Sequence, residues 1–182
     1  MDIAYIVVSL LAAIWIMIPA YVPNSAAALF GGGRPIDLGR NFSDGRRIFG
    51  NGKTYRGFFA GVLIGILAGV AEISLRSAMG WTFLPEQTLL SVSLLAAGAL
   101  LGDLAKSFLK RRLGKERGEK WPVADQYDLV IGAFLLVLIG NPEWFFNTIT
   151  VPIAIWILIL TPLLHRAANI IGYLTGVKDV PW

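Results

Sequence analysis

The chain has 182 residues, 55% of them hydrophobic and only 15% charged, with 16 Lys and Arg against 12 Asp and Glu for a formal net charge of +4. Ordinary soluble domains carry about 25% charged residues, so the composition points to an integral membrane protein, read here as a single all-α transmembrane domain over 1–182. There is no cysteine and one histidine, His165, which excludes disulfides, thiolate chemistry and a His-rich zinc or iron site.

Apolar runs long enough to cross about 30 Å of hydrocarbon as helix recur five times, at approximately 3–22, 57–75, 88–109, 123–140 and 148–167. The first run lacks a basic leader and is long enough to span, so it reads as a retained helix and not a cleaved signal. The loop 23–56 follows, with Arg34, Arg40, Arg46, Arg47, Lys53 and Arg56 among many glycines. Within it GNGKT suggests a phosphate loop, but the P-loop register requires glycine at position 47, which is Arg47. Glycines let backbone amides approach an anion, and Arg and Lys supply phosphate contacts. A flexible basic connector explains the same composition.

The second run carries Gly57, Gly61, Gly65 and Gly69 at four-residue spacing, a small-residue face suited to close helix approach, more readily within the chain than between copies. The third run ends in Asp103, Lys106, Ser107 and Lys110, spaced i, i+3, i+4 and i+7 and so sharing one helix face. The basic stretch 106–120 then adds Arg111, Arg112, Lys115, Arg117 and Lys120. The fourth run opens near Pro122, a residue suited to a first helical turn. It has Asp125 and Asp128 on one face, and spans roughly 18 residues or about 27 Å. The fifth run is followed by Arg166 and Lys178.

Every basic cluster falls on one side of a five-span arrangement, which puts the N-terminus outside and the C-terminus in the cytoplasm. Trp81 and Trp144 with Phe145 and Phe146 suit an outer aromatic belt, and Trp121 an inner one. Asp2, Glu72, Glu86 and Glu143 fall near outer ends, where snorkelling or solvation is expected. His165 falls at the inner end of the fifth span, as an interfacial side chain and not a ligand.

Carboxylates inside a membrane cost roughly 3 kcal/mol each at the bilayer centre and therefore face cavities, cations or metal. Asp103, Asp125 and Asp128, converging from two helices, suit one or two Mg²⁺, a hard cation that favours oxygen ligands and phosphate co-ligands. The N-terminus of the fourth helix adds positive potential for an anion. Pairing of these aspartates with Lys106, Lys110 or Arg111 is the structural alternative. Residue patterns alone reach metal plus phosphate at the inner surface.

The stretch GDLAKSFLKRRLGKERGEKWPVADQYD resembles the phosphatidate cytidylyltransferase signature. The matching positions are Gly102–Asp103, Ser107, Lys110–Arg111, Lys115, and Asp125 with Asp128. A His-Gly-Gly before the final pair is absent, Gln126 replaces an arginine between the aspartates, and the chain is shorter. These departures, and the loop PNSAAALFGGGRPIDLGRNFSDGRRIFGNGKTYRGFFAG, resemble the archaeal branch, the CDP-archaeol synthases. That resemblance implies a Mg²⁺-dependent nucleotidyltransferase of membrane phospholipid biosynthesis. It would join CTP to 2,3-bis-O-geranylgeranyl-glycerol 1-phosphate and release pyrophosphate. It implies Asp103, Asp125 and Asp128 as metal ligands, and Lys110, Arg111 and Lys115 with Ser107 against the phosphates. Asn24, Asp44, Arg46, Lys53, Thr54 and Arg56 would lie on the nucleotide side. The expected partners are CTP, a phosphorylated isoprenoid ether lipid and the bilayer, with no nucleic acid. A CTP-dependent lipid kinase and a non-enzymatic transporter of anionic lipid or ions are the rival readings.

Overall fold

The structure, a computed structural model, describes residues 2–116 and 118–177; Arg117 and Lys178 of the basic clusters lie outside the described residues. Among the described residues six helices follow one another, α1 (Ile3–Leu29), α2 (Tyr55–Met79), α3 (Leu89–Arg112), α4 (Ala124–Gly140), α5 (Pro142–Thr148) and α6 (Val151–Leu174). Four of them, α1, α2, α3 and α6, are long and apolar enough to cross a membrane.

Local chemistry sets the boundaries. Asp2 caps α1 by accepting the Ala4 N–H at 3.2 Å. Thr54 caps α2 through Gly57, and Gly80 ends that helix in the left-handed conformation. Thr88 and Ser91 form a reciprocal capping box at the start of α3. Three expectations change. The first helix runs seven residues beyond 22, carrying Pro19 and Pro23 within it, so Asn24 is helical and not in a loop. α4 has 17 residues and is not among the four long apolar helices. The expected fifth span, 148–167, starts three residues later and ends seven later as α6, and a short α5 ending at Thr148 precedes it across Ile149–Thr150.

Small residues bring the helices together. Cβ atoms added to Gly57, Gly61, Gly65 and Gly69 would meet α1 at Pro19, Pro23 and Ala27 or α3 at Val92, Ala96 and Leu100. The glycine ladder is thus consumed within the chain. α3 and α4 approach even more closely, through Gly98, Gly102 and Gly132. The core between α1, α3, α4 and α6 is built from Ile16, Met17, Leu95, Val137 and Ile157, all buried. Tyr21 meets Thr161 at 2.8 Å and ties α1 to α6. Outward-facing Phe59, Leu63, Leu67, Ile131, Leu135 and Leu158 remain exposed, as lipid-facing residues should.

Glu72 does not snorkel. It is buried, and Gln87 donates to its Oε2 at 3.1 Å while also donating to the Trp15 carbonyl at 3.1 Å. Gln87 lies in the α2–α3 connection, and this bridge joins α1, α2 and that connection, pairing the Gln87 amide N–H groups and one Glu72 oxygen where lipid could not. Trp144 donates to the Glu86 carbonyl at 2.7 Å, so the aromatic residues of α5 share one end of the bundle with that connection.

Candidate active site

At the opposite end, residues 30–54 fold over the end of α3. Their organiser is Asp37, whose side chain is wholly buried. It accepts hydrogen bonds from the amides of Gly39, Phe49 and Gly50 at 3.1, 3.0 and 2.8 Å, and Arg47 pairs with it at 2.5 Å. Burial pushes the Asp37 carboxyl up, but Arg47 and the three amides outweigh that and hold it well below the usual carboxylate range. Leu38 takes a φ of 54° beside it, a conformation an L-residue holds only when its surroundings impose it.

Arginines dock the loop onto α3. Arg46 donates to the carbonyls of Arg111 and Arg112 at 3.3 and 3.1 Å, adding a side-chain donor at the C-terminal end of that helix. Arg112 donates to Asp44 at 2.8 Å and to the Arg47 carbonyl at 2.6 Å. Its guanidinium lies 4.8 Å from the Phe42 ring centre and 4.9 Å from that of Phe108. Lys53 thereby reaches Asp103, with which it pairs directly.

The carboxylates converge as the helix spacing predicts. Lys106 Nζ lies 2.7 Å from Asp128 Oδ2, 3.2 Å from Asp103 Oδ1 and 3.5 Å from Asp125 Oδ1. Lys110 Nζ lies 2.6 Å from Asp125 Oδ1 and donates to the Glu119 carbonyl at 2.7 Å. Asp125 also accepts the Trp121 N–H at 2.7 Å. Three aspartates and three lysines therefore form one charge-balanced cluster across α3, α4 and the loop.

The cluster forms one wall of a cavity of about 930 Å³. Asp103, Lys106, Ser107, Lys110, Arg111 and Lys115 line it from α3 and beyond, Asp125 from α4, and Arg46, Lys53 and Thr54 from the loop, while Asn24 lines it from α1. Asp128 is buried behind Lys106 and is not part of the wall. Two nucleotide-side expectations move away from the cavity. Arg56 donates to the carbonyls of Phe30 and Gly31, closing the end of α1. Asp44 is exposed and engaged with Arg112. Thr54 stays on the wall, yet its hydroxyl oxygen is used as the cap of α2 at 3.1 Å from the Gly57 amide.

His165 and Asn169, on successive turns of α6 with 3.2 Å between Nδ1 and Nδ2, also line the cavity. The histidine expected as an interfacial side chain thus has a side-chain partner, Asn169, supplied by the extension of α6 past 167, and its face borders the cavity. Asp37 was missed as an organiser; the signal available was the D-x-G spacing of an Asx-turn.

Among the described residues, no three acidic or histidine side chains close into a ready-made metal cage, because the Lys106 ammonium stands between the three carboxylates. The donor chemistry nonetheless fits Mg²⁺. All the converging ligands are carboxylate oxygens, and Asp128 Oδ1 is buried without a hydrogen-bond partner.

Comparison with known proteins agrees with this architecture. A solved structure described as an intramembrane enzyme for archaeal membrane lipids biosynthesis superposes with a TM-score of 0.72 at 40% identity, covering 88% of this chain and 94% of that one. Proteins named CDP-archaeol synthase from Methanoculleus marisnigri and Methanoregula boonei are 72% and 64% identical, each over 91% of this chain and 100% of the relative. That from Methanosphaerula palustris is 61% identical over the same shares. A family model described as CarS-like CDP-archaeol synthase matches residues 5–182, and the chain belongs to that family.

Proposed function

We propose that the protein transfers the cytidylyl group of CTP to the phosphate of 2,3-bis-O-geranylgeranyl-glycerol 1-phosphate, giving the CDP-activated lipid and pyrophosphate. The observation that carries this reading is the convergence of Asp103, Asp125 and Asp128 with Lys53, Lys106 and Lys110 in one cluster, of which all but the buried Asp128 line the cavity wall. The wall lies where long apolar helices end, so a lipid headgroup can reach it while the chains stay among the helices.

In the reaction a lipid phosphate oxygen attacks the α-phosphorus of CTP. A new P–O bond forms as the bond to the β-phosphate oxygen breaks, and pyrophosphate leaves with that electron pair. The nucleophile is already an anion, so no side chain has to remove a proton. Asp103, Asp125 and Asp128 would hold Mg²⁺, which supplies Lewis-acid stabilisation of charge on the phosphates when bound. Lys110, positioned by Asp125, and Arg111 and Lys115, with Ser107 between them and the carboxylates, face the phosphates. Arg46 and Lys53 present the loop's positive charge from the other side, and Asn24 offers a neutral amide to the nucleotide. Fixed cations at a partly enclosed wall stabilise developing charge without reorganising.

The full topology in this reading is one domain of five spans, with α4 as the fourth and α6 as the fifth. The N-terminus lies outside, and the C-terminus and site lie in the cytoplasm. The location of the Arg and Lys clusters at the cavity end supports that orientation.

The test is pyrophosphate release by the purified protein in detergent with Mg²⁺, CTP and a synthetic ether-lipid phosphate. Release requiring all three, with a CDP-lipid product, is expected. CDP release with a further phosphorylated lipid would replace this reading with a lipid kinase. Absence of nucleotide turnover would return the cluster to a structural or transport role.

A further inference from the structure

Lys106 has an unusual position among the cations of the site. Lys53 touches one carboxylate, Asp103, and Lys110 touches one, Asp125. Among the described residues Lys106 alone reaches all three, at 2.7, 3.2 and 3.5 Å. An ammonium so placed occupies the point toward which a divalent cation shared by those carboxylates would be drawn. Its side chain is only 14% exposed, yet it borders the cavity, whereas Asp128 lies behind it. The four-carbon stem of a lysine is flexible enough to move the ammonium from the carboxylates into the cavity without moving the helix.

We propose that Lys106 is a built-in competitor for the divalent cation, and that the metal displaces its ammonium onto a substrate phosphate. The inference rests on the metal reading given above. With Lys53, Lys106 and Lys110 in place, the three carboxylates are already neutralised. A divalent cation arriving alone must leave a displaced ammonium without a partner beside it, so it binds weakly. A triphosphate arriving alone meets cations already engaged with carboxylates. Metal and phosphate arriving together satisfy both, since the carboxylates take the metal and Lys106 takes the phosphate. Lys106 thereby couples the two binding events, and such coupling is reciprocal. It is a positioning and selection device that protects the site against tight metal binding in the absence of nucleotide.

The experiment titrates MgCl₂ alone into the detergent-purified full chain, following thermal unfolding and tryptophan emission. Trp121 is a local reporter, because its N–H bonds Asp125 at 2.7 Å. Lys106→Met is expected to melt lower than wild type in EDTA and to half-saturate at a Mg²⁺ concentration at least tenfold lower. Lys106→Arg keeps the cation and should keep the weak wild-type response. If Lys106→Met is recovered only in Mg²⁺, transfer to EDTA must unfold it while Lys106→Arg survives; survival of both overturns the proposal. Equal half-saturation in wild type and Lys106→Met overturns the competition and leaves the metal reading standing. No Mg²⁺ response in either, with Asp128→Asn indistinguishable from both, removes the metal reading and the competition with it.

Discussion

Gly102→Ala tests whether the packing of α3 on α4 sets the geometry of the site. A Cβ at Gly102 would lie 2.1 Å from the Asp128 carbonyl oxygen, and ordinary contact begins at 3.4 Å. The shortfall of about 1.3 Å cannot be relieved by a rotamer change, because the opposing atoms belong to the backbone of Asp128 and Gly132. Overpacking of this kind costs about 1–3 kcal/mol, or a fall in Tm of roughly 3–10 °C for a chain of this size. The helices that must separate are the ones that carry Asp103 and Asp128. A displacement near 1 Å between reacting groups can cost about a hundredfold in rate, so pyrophosphate release should fall by that order even where the protein stays folded. Gly69→Ala is the matched control. Its Cβ would meet Val92 at 2.5 Å, on the α2–α3 contact far from the carboxylates, and it should lower Tm while leaving kcat within a few-fold. Differential scanning fluorimetry beside a coupled pyrophosphate assay reads both. A Gly102→Ala protein with wild-type Tm and turnover, or one whose activity loss merely equals that of Gly69→Ala, would refute the link.

Asp128→Asn should remain folded, since the shape is kept, but lose metal-dependent turnover by at least a hundredfold; turnover near wild type across a Mg²⁺ titration would remove Asp128 from the ligand set. Asp37→Asn should loosen residues 30–54, because truncating one partner of a buried pair costs about 3–5 kcal/mol, and trypsin should then cleave at Arg40, Arg46 or Lys53. The pH dependence of that loop follows from the depressed Asp37 carboxyl. A group with a folded pKa below its unfolded value of about 3.9 stabilises fully above that value and loses its contribution only as pH falls through the folded one. Loop protection should therefore persist from pH 7 down to about 4, and its loss near pH 6 would contradict the ion-pair account. Arg56→Ala removes donors to the Phe30 and Gly31 carbonyls and should lower stability by about 1–2 kcal/mol, with the apparent KM for CTP little changed; a tenfold rise in that KM at native Tm would place Arg56 back at the nucleotide.

What the sequence made legible was set by range. Asp103, Lys106, Ser107 and Lys110 share a face because helical spacing dictates it, and all four border the cavity. The glycines at 57, 61, 65 and 69 declared a close contact in the same way, since only absent side chains allow the 2.5–2.8 Å approaches that a Cβ would suffer there. Partners distant in the chain were not legible. Glu72 read as a solvated end because its satisfying donor, Gln87, is fifteen residues away in a segment without periodicity. Arg56 and Thr54 read as ligands because their positions just before an apolar run conceal that they close the ends of α1 and α2. His165 read as interfacial because helical spacing within α6 does not tell that its face meets a cavity built by α1, α3, α4 and the loop.

The same feature that hid those contacts explains why the site can exist in a membrane at all. Three carboxylates placed singly along apolar helices would each carry a cost of several kcal/mol. Glycines 98, 102 and 132 let α3 and α4 approach until backbone meets backbone, so Asp103, Asp125 and Asp128 can share a single ammonium within 3.5 Å. The loop then supplies Lys53 from outside the helices, held in place by Asp37, Arg46 and Arg112. Close helix packing, loop folding and charge neutralisation are thus one requirement, and loss of any one should be felt first at Lys106, where all three meet.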